Sequence, residues 1–204
     1  MATIPTTKTW AVNDIPTAAE FNQYVRDAHN FFKAPPRVLV KSNVDLTRSS
    51  RTSWSLVTWN TPIAETDGTN GHVSGQPSRI VALTAGRYHV WCNIQWEDHT
   101  VQLSEGDRGI QIRKNSGGSD SGGASVGIDH RHAQTAANVP NTAPGCSQQG
   151  VEGFVSLAVN DYVEVFAYDA DDDTTGIFPT VDSGCTLDLT RYNAARFGMV
   201  WIST

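Results

Sequence analysis

Cysteine is scarce in this 204-residue chain: Cys92, Cys146 and Cys185 are its only three, and no two are spaced as CxxC. An odd, sparse set argues against both a disulfide framework and a zinc site and fits free thiols in a reducing cytoplasm, with a Cys146–Cys185 bridge as the one pairing left open. Charged residues are also few, at 18%, against 39% hydrophobic residues. That balance excludes a disordered chain and leaves enough apolar material for a core. No apolar run approaches the roughly 18 residues that a membrane helix needs. The opening Met1-Ala2-Thr3-Ile4-Pro5 lacks the apolar stretch of a signal peptide, so Sec-dependent export is not expected. The common catalytic signatures are not recognised either. A nucleophile elbow, a His-Glu-x-x-His helix and a phosphate-cradling glycine loop are not expected, and a non-enzymatic protein is.

What is present is unevenly spread. Residues 1–51 hold seven Lys/Arg and four Asp/Glu, a charge of +3, while the remainder holds eight basic and seventeen acidic residues, a charge of −9. An acidic body repels phosphate backbones, so nucleic acid is not an expected partner. The two ends are suited to different partners.

One helix reads clearly, over about residues 17–33. Thr17-Ala18-Ala19-Glu20 has capping-box spacing. On a wheel of about 100° per residue, Phe21, Val25, Ala28 and Phe32 align, with Tyr24 and Phe31 beside them. Ala34-Pro35-Pro36 ends the helix, because proline neither donates to the turn nor continues it. A helix of roughly 15 residues is marginal alone, so its apolar stripe must pack on its own domain or on a partner. The basic surroundings and the following prolines favour a partner. Trp10, Phe21, Tyr24, Val25, Phe31 and Phe32 are the anchor candidates.

Beyond Arg37 the periodicity changes to two. Residues 37–51 read as a linker and 52–204 as an all-β domain. The cleanest strand is Arg87–Glu97, where Tyr88, Val90, Cys92, Ile94 and Trp96 alternate with Arg87, His89, Trp91, Asn93, Gln95 and Glu97. Further strands are expected over Ser53–Asn60, Arg79–Leu83, Gly109–Arg113, Ser125–Asp129, Gly153–Ala158, Tyr162–Tyr168, Thr186–Leu189 and Arg196–Ile202. Short strands without intervening helices make an antiparallel sandwich or jelly roll. The glycine–serine run 115–123 reads as a flexible hairpin loop at one end of it.

Three of these segments together resemble C1q/TNF-like domains. They are Pro77-Ser-Arg-Ile-Val-Ala-Leu-Thr-Ala-Gly-Arg-Tyr-His-Val-Trp91, Asn160-Asp-Tyr-Val-Glu-Val-Phe-Ala167 with Asn160 where glycine is usual, and the closing Ala195-Arg-Phe-Gly-Met-Val-Trp-Ile-Ser-Thr204. The resemblance implies a two-sheet jelly roll that forms compact homotrimers. The stretch from Thr9-Trp10 through Thr17-Ala-Ala, Phe21-Asn, Val25-Arg-Asp27 to Asn30-Phe-Phe-Lys33 is similar to openings of tailed-phage virion proteins, with Asn13 where glycine is usual. It implies a virion location after assembly in the host cytoplasm. Major capsid or tail proteins are the implied docking partners.

Together these readings describe a homotrimeric, head fibre-like capsid decoration protein. The alternative is a tail-associated protein that binds a host surface glycan. Trp91 and His89, on the outward face of their strand, are candidates for a trimer or glycan surface. No cofactor is required. Asp169, Asp171, Asp172 and Asp173 offer oxygen ligands to calcium, which some C1q-like domains bind, but they lack EF-hand spacing and read better as a solvated loop. His130 and His132, on one strand face, are a candidate metal pair without a nearby third ligand.

Overall fold

The computed structural model describes residues 8–42, 53–65, 71–72, 75–96, 106–133, 147–169, 181–182 and 195–203. The helix forms where its spacing predicts, with both halves of the capping box made. Thr17 Oγ1 accepts from the Glu20 amide at 3.3 Å, and the Glu20 carboxylate accepts from the Thr17 amide at 2.9 Å. It is not uniform. Helix α1 (Ala18–Phe21) passes through a π-helical turn, Asn22–Arg26, into α2 (Asp27–Lys33). A π turn carries extra residues per turn, so residues beyond it rotate away from the line that an unbroken α-wheel assigns them.

Among the described residues eleven strands follow, in chain order β1 (Arg37–Lys41), β2 (Ser55–Leu56), β3 (Thr61–Glu65), β4 (Arg79–Val81), β5 (Gly86–Trp96), β6 (Gly106–Lys114), β7 (Ala124–Ala133), β8 (Ser147–Leu157), β9 (Tyr162–Asp169), β10 (Val181–Asp182) and β11 (Arg196–Ser203). The linker reading fails at its start. Arg37–Lys41 is a paired strand, because Val38 and Val40 alternate into the core. Residues 43–51 of that reading, the expected strand Thr186–Leu189, and both Cys146 and Cys185 lie outside the described residues.

The pairings among the described residues are all antiparallel and form two sheets. In sheet A the order is β8-β5-β11-β1-β3, with β10 pairing the end of β5. In sheet B, β2 and β4 share one edge of β9, followed by β6 and β7. The sheets face each other across one core. Val38, Val40, Tyr88, Val90, Cys92, Ile94, Phe197 and Met199 from sheet A meet Ile80, Ile110, Ile112, Val163, Val165 and Ala167 from sheet B. Trp59 packs on Phe197 within that core at 5.3 Å between ring centroids. Cys92 is fully buried, and burial pushes its thiol far above the ordinary range, as an inert core group. Where β7 and β8 meet, the sheets approach closely. A Cβ on Gly153 would lie 2.4 Å from the Val126 carbonyl oxygen, so only glycine fits there.

The glycine–serine run is a hairpin connection, but it is tied down rather than loose. It folds back over the outer face of sheet B, where β9 presents Glu164 and Phe166 and β6 presents Gln111 and Arg113. The Glu164 carboxylate accepts from the Ser116 hydroxyl, from the Gly118 amide at 3.1 Å, from Ser78 Oγ at 3.0 Å and from Arg79 Nε at 2.8 Å. Arg113 donates to the carbonyls of Gly122, Ser121 and Gly123, and Gln111 donates to that of Asp120. Gly123, at φ 64°, is required because a Cβ would collide with the Lys114 carbonyl. Glu164 is wholly buried. Burial alone would raise its pKa, but Ser116, Arg79, Gly118 and Ser78 together outweigh burial and hold it below its ordinary value.

Glu164→Ala leaves Arg79 and three further donors without their acceptor. Breaking a buried ion pair costs about 3–5 kcal/mol, and partly solvated Arg79 places this case near about 3 kcal/mol in urea unfolding. Since the folded value is depressed, the carboxylate contributes fully above its ordinary pKa of 4.5 and loses that contribution as pH falls through the folded value. The stability gap between wild type and Glu164→Ala should therefore narrow below about pH 4.5. A gap that stays constant from pH 7 to pH 3 would contradict this.

Candidate functional site

The anchor candidates separate into three groups. Phe31 is docked on its own domain: it is 7% exposed, and its ring meets Trp201 edge-on at 4.8 Å between centroids. Its expected role as a partner-facing residue is therefore corrected. The Trp201 amide donates to the Pro36 carbonyl at 2.8 Å, which brings the end of the helix to β11 and fixes this contact.

Trp10 and Tyr24 form the second group and hold each other. Their rings cross at 87° with centroids 6.3 Å apart, and the Lys8 ammonium sits 4.3 Å from the Trp10 ring centroid. Lys8 also pairs with Glu20. That contact and the Thr17 donors hold the Glu20 carboxyl at about 2. Asn13 turns the leader at φ 75°. The segment preceding the helix is thus folded back on it as a clasp.

Phe21, Val25 and Phe32 remain. They are 53%, 44% and 72% exposed, large apolar groups left in good part open to solvent. Val12 and Ile15 in the leader are still more exposed, and sequence reasoning passed over both because they lie outside the helical stripe.

Trp91 and His89 lie together on the outer face of sheet A, as the alternation of β5 predicts. His89 sits between Trp91 and Phe154, with centroid separations of 5.5 and 5.0 Å, and the Arg87 guanidinium lies 5.5 Å from the Phe154 ring centroid. His89 Nε2 is 3.0 Å from a Glu152 carboxylate oxygen. The Trp91 indole lies over Gly198, where a Cβ would come within 2.5 Å of the ring. Next to these rings the register aligns Val200 with Arg37 and Gly198 with Leu39. The result is an aromatic and aliphatic centre rimmed by Arg37, Lys41, Arg87, Glu152 and Arg196. An open hollow of about 640 Å³ lies over it, lined by His89, Trp91, Asn93, Gly150, Val151, Glu152 and Val200. Phe154, 60% exposed, belongs to this face. Period-two reading of β8 could have found it opposite His89.

The other candidates are placed as follows. Asp169 ends β9, and Asp171, Asp172 and Asp173 lie outside the described residues. His130 stacks on Trp54 at 5.3 Å between centroids. Among the described residues no group of three or more His, Cys, Asp or Glu side chains is arranged to hold a metal ion. The spacing Gly-x-Ser-x-Gly does occur, at Gly123-Ala-Ser-Val-Gly127, contrary to the sequence reading. Ser125, however, is an exposed residue within strand β7, paired with Arg113 beside a register shift of the ladder, and not at a strand-to-helix turn.

Neighbouring phenylalanines give a direct test of the division within the helix. Phe31→Ala should cost about 3 kcal/mol in thermal unfolding, the lower end for a buried phenylalanine because this one is at the rim of the core. Phe32→Ala should stay within about 0.5 kcal/mol of wild type. Equal losses from both would contradict the docking of Phe31. No protein-family model matches this chain, and a search of curated proteins returns no significant match.

Proposed function

We propose that this chain is a non-enzymatic structural protein of a tailed-phage virion, a homotrimeric capsid decoration protein with a C1q/TNF-like jelly roll and an N-terminal anchor. The observation that carries the reading is the state of the helix. Phe31 alone among its apolar residues is buried, while Phe21, Val25 and Phe32 face solvent. An amphipathic helix clasped at its start and pinned at its end, with apolar residues uncovered between and beyond, is built to be covered by another protein. At about 1.5–3 kcal/mol per large side chain buried, three such residues make a modest anchor. Three copies in a trimer raise its durability through effective concentration.

Support for the jelly roll comes from the order in which the chain visits its sheets. From β1 to β11 it runs A, B, A, B, A, B, B, A, B, A, A, crossing between the sheets at most steps, with β1 and β11 adjacent in sheet A. Support for the trimer comes from the outer face of sheet A, where an aromatic and aliphatic centre is ringed by charge, the usual anatomy of a protein interface. That face takes the trimer contact, so Trp91, His89 and Phe154 become buried in the assembly.

Light scattering of the full chain should give about three times the 22.1 kDa subunit mass. Phe154→Arg should reduce it to one subunit with the circular dichroism unchanged, whereas a wild-type monomer would end the trimer reading. Phe21→Asp with Phe32→Asp should leave the trimer intact and abolish co-sedimentation with purified virions. Undiminished co-sedimentation would end the anchor reading. Copies per particle, counted by quantitative mass spectrometry, separate a head location with hundreds from a tail location with a handful.

A further inference from the structure

The outer face of sheet A is charged against the sign of the chain. Burial of Val38 and Val40 turns Arg37, Leu39 and Lys41 outward, and burial of Phe197 and Met199 does the same for Arg196 and Val200. The register lays these residues in rows across the strands. One row runs Phe154, His89, Val200, Arg37; the next runs Glu152, Trp91, Gly198, Leu39; the third runs Gly150, Asn93, Arg196, Lys41. Arg87 stands beyond the first row, opposite Ser156. Among the described side chains of this face Arg37, Lys41, Arg87 and Arg196 are cationic and Glu152 is acidic, so four positive charges less one leave +3. Taken from the chain's −6, that leaves −9 for everything else.

The charge is most concentrated at Lys41 and Arg196, which lie directly opposite each other on β1 and β11. Like charges placed across a ladder destabilise it. Neither side chain pairs with an acid among the described residues. Glu152 lies two strands from β11, on β8, where it meets His89 at 3.0 Å. The fold therefore carries a repulsion that an acidic partner would relieve.

We infer that this face is one half of a head-to-tail contact between copies of the chain, in which Lys41 and Arg196 receive an acidic surface of the neighbouring copy. The inference rests on the trimer reading and gives it a geometry. Two-fold pairing would lay +3 against +3 around the same apolar centre. A three-fold ring never sets a patch against itself, since each copy offers it to a different surface of the next. With −9 outside the face, that surface is on average acidic. Trp91, Phe154 and Val200 then supply the burial, while the cations fix orientation and choice of partner. A phosphate backbone would meet the cations too, but it would run on over the acidic remainder, which repels it.

The test is sedimentation velocity of the full chain over a dilution series, at about 0.1 M and about 1 M sodium chloride, between which the screening length falls from about 10 Å to about 3 Å. The higher salt should raise the dissociation midpoint of the trimer about tenfold. At the lower salt, Lys41→Glu with Arg196→Glu should raise it by at least as much, and Lys41→Gln with Arg196→Gln by less. Lys41→Glu alone converts the like-charged pair into an opposite one, so it should weaken assembly while the thermal midpoint of the dissociated subunit holds or rises. Weaker assembly that comes only with a lower midpoint would overturn the inference. A trimer indifferent to salt and to charge reversal would overturn it and leave the trimer reading standing. A wild-type monomer or a two-subunit assembly would end both, and a monomer that shifts to a larger species with a short DNA duplex would assign the cations to nucleic acid instead.

Discussion

The structure depends on β11 being held between β5 and β1. Phe197, Met199 and Trp201 on that strand supply much of the sheet A side of the core, and its ladders join the middle of the chain to the first strand. The Trp201 amide also reaches the Pro36 carbonyl, so the strand that closes the sheet is the one that receives the helix. The helix therefore has a fixed root. Phe31 fills the rim of the core beside Trp201, and Phe21 and Phe32 are thereby held in a set relation to the sandwich.

Sheet B solves a different problem. A buried carboxylate is costly unless it is fully satisfied, and Glu164 is satisfied by residues from two separate segments: Ser78 and Arg79 before β5, and Ser116 and Gly118 after β6. One side chain thereby organises the connection that composition alone suggests is loose. Backbone amides and carbonyls of glycine and serine are good partners for Glu164, Arg113 and Gln111 because no side chains keep them at a distance.

Much of this was legible in the residues. Alternation located β5, β9 and β11 to within a residue or two, and the capping box located the helix start, since both signals rest on strong local geometry. The two positions where asparagine replaces an expected glycine, Asn13 and Asn160, both adopt positive φ, at 75° and 72°; asparagine is the side chain best able to share that role. The misses share a cause. Arg37–Lys41 is short and follows two prolines, so only its partners, Met199 and Phe197 across the ladder, identify it as a strand. Phe31 and Phe32 are equivalent in composition, and the π turn that decides which of them faces the body has no signature on an α-wheel. The ring cluster of Trp54, His130 and Tyr168 draws on three segments 38 or more residues apart, which no local pattern connects.

The central position of β11 also governs when the sandwich can form. Residues 37–41 pair with residues 196–200, so the ladder between β1 and β11 spans nearly the whole described chain. Contacts of such sequence separation slow folding, because the loop must close before any of its pairing is gained. During synthesis β1 and β5 each wait with an unpaired edge until residues 195–203 emerge, and Phe31 waits with them for Trp201. The helix thus acquires its rooted form only in a finished sandwich, so a half-made chain cannot hold Phe21 and Phe32 in the orientation that the completed molecule gives them.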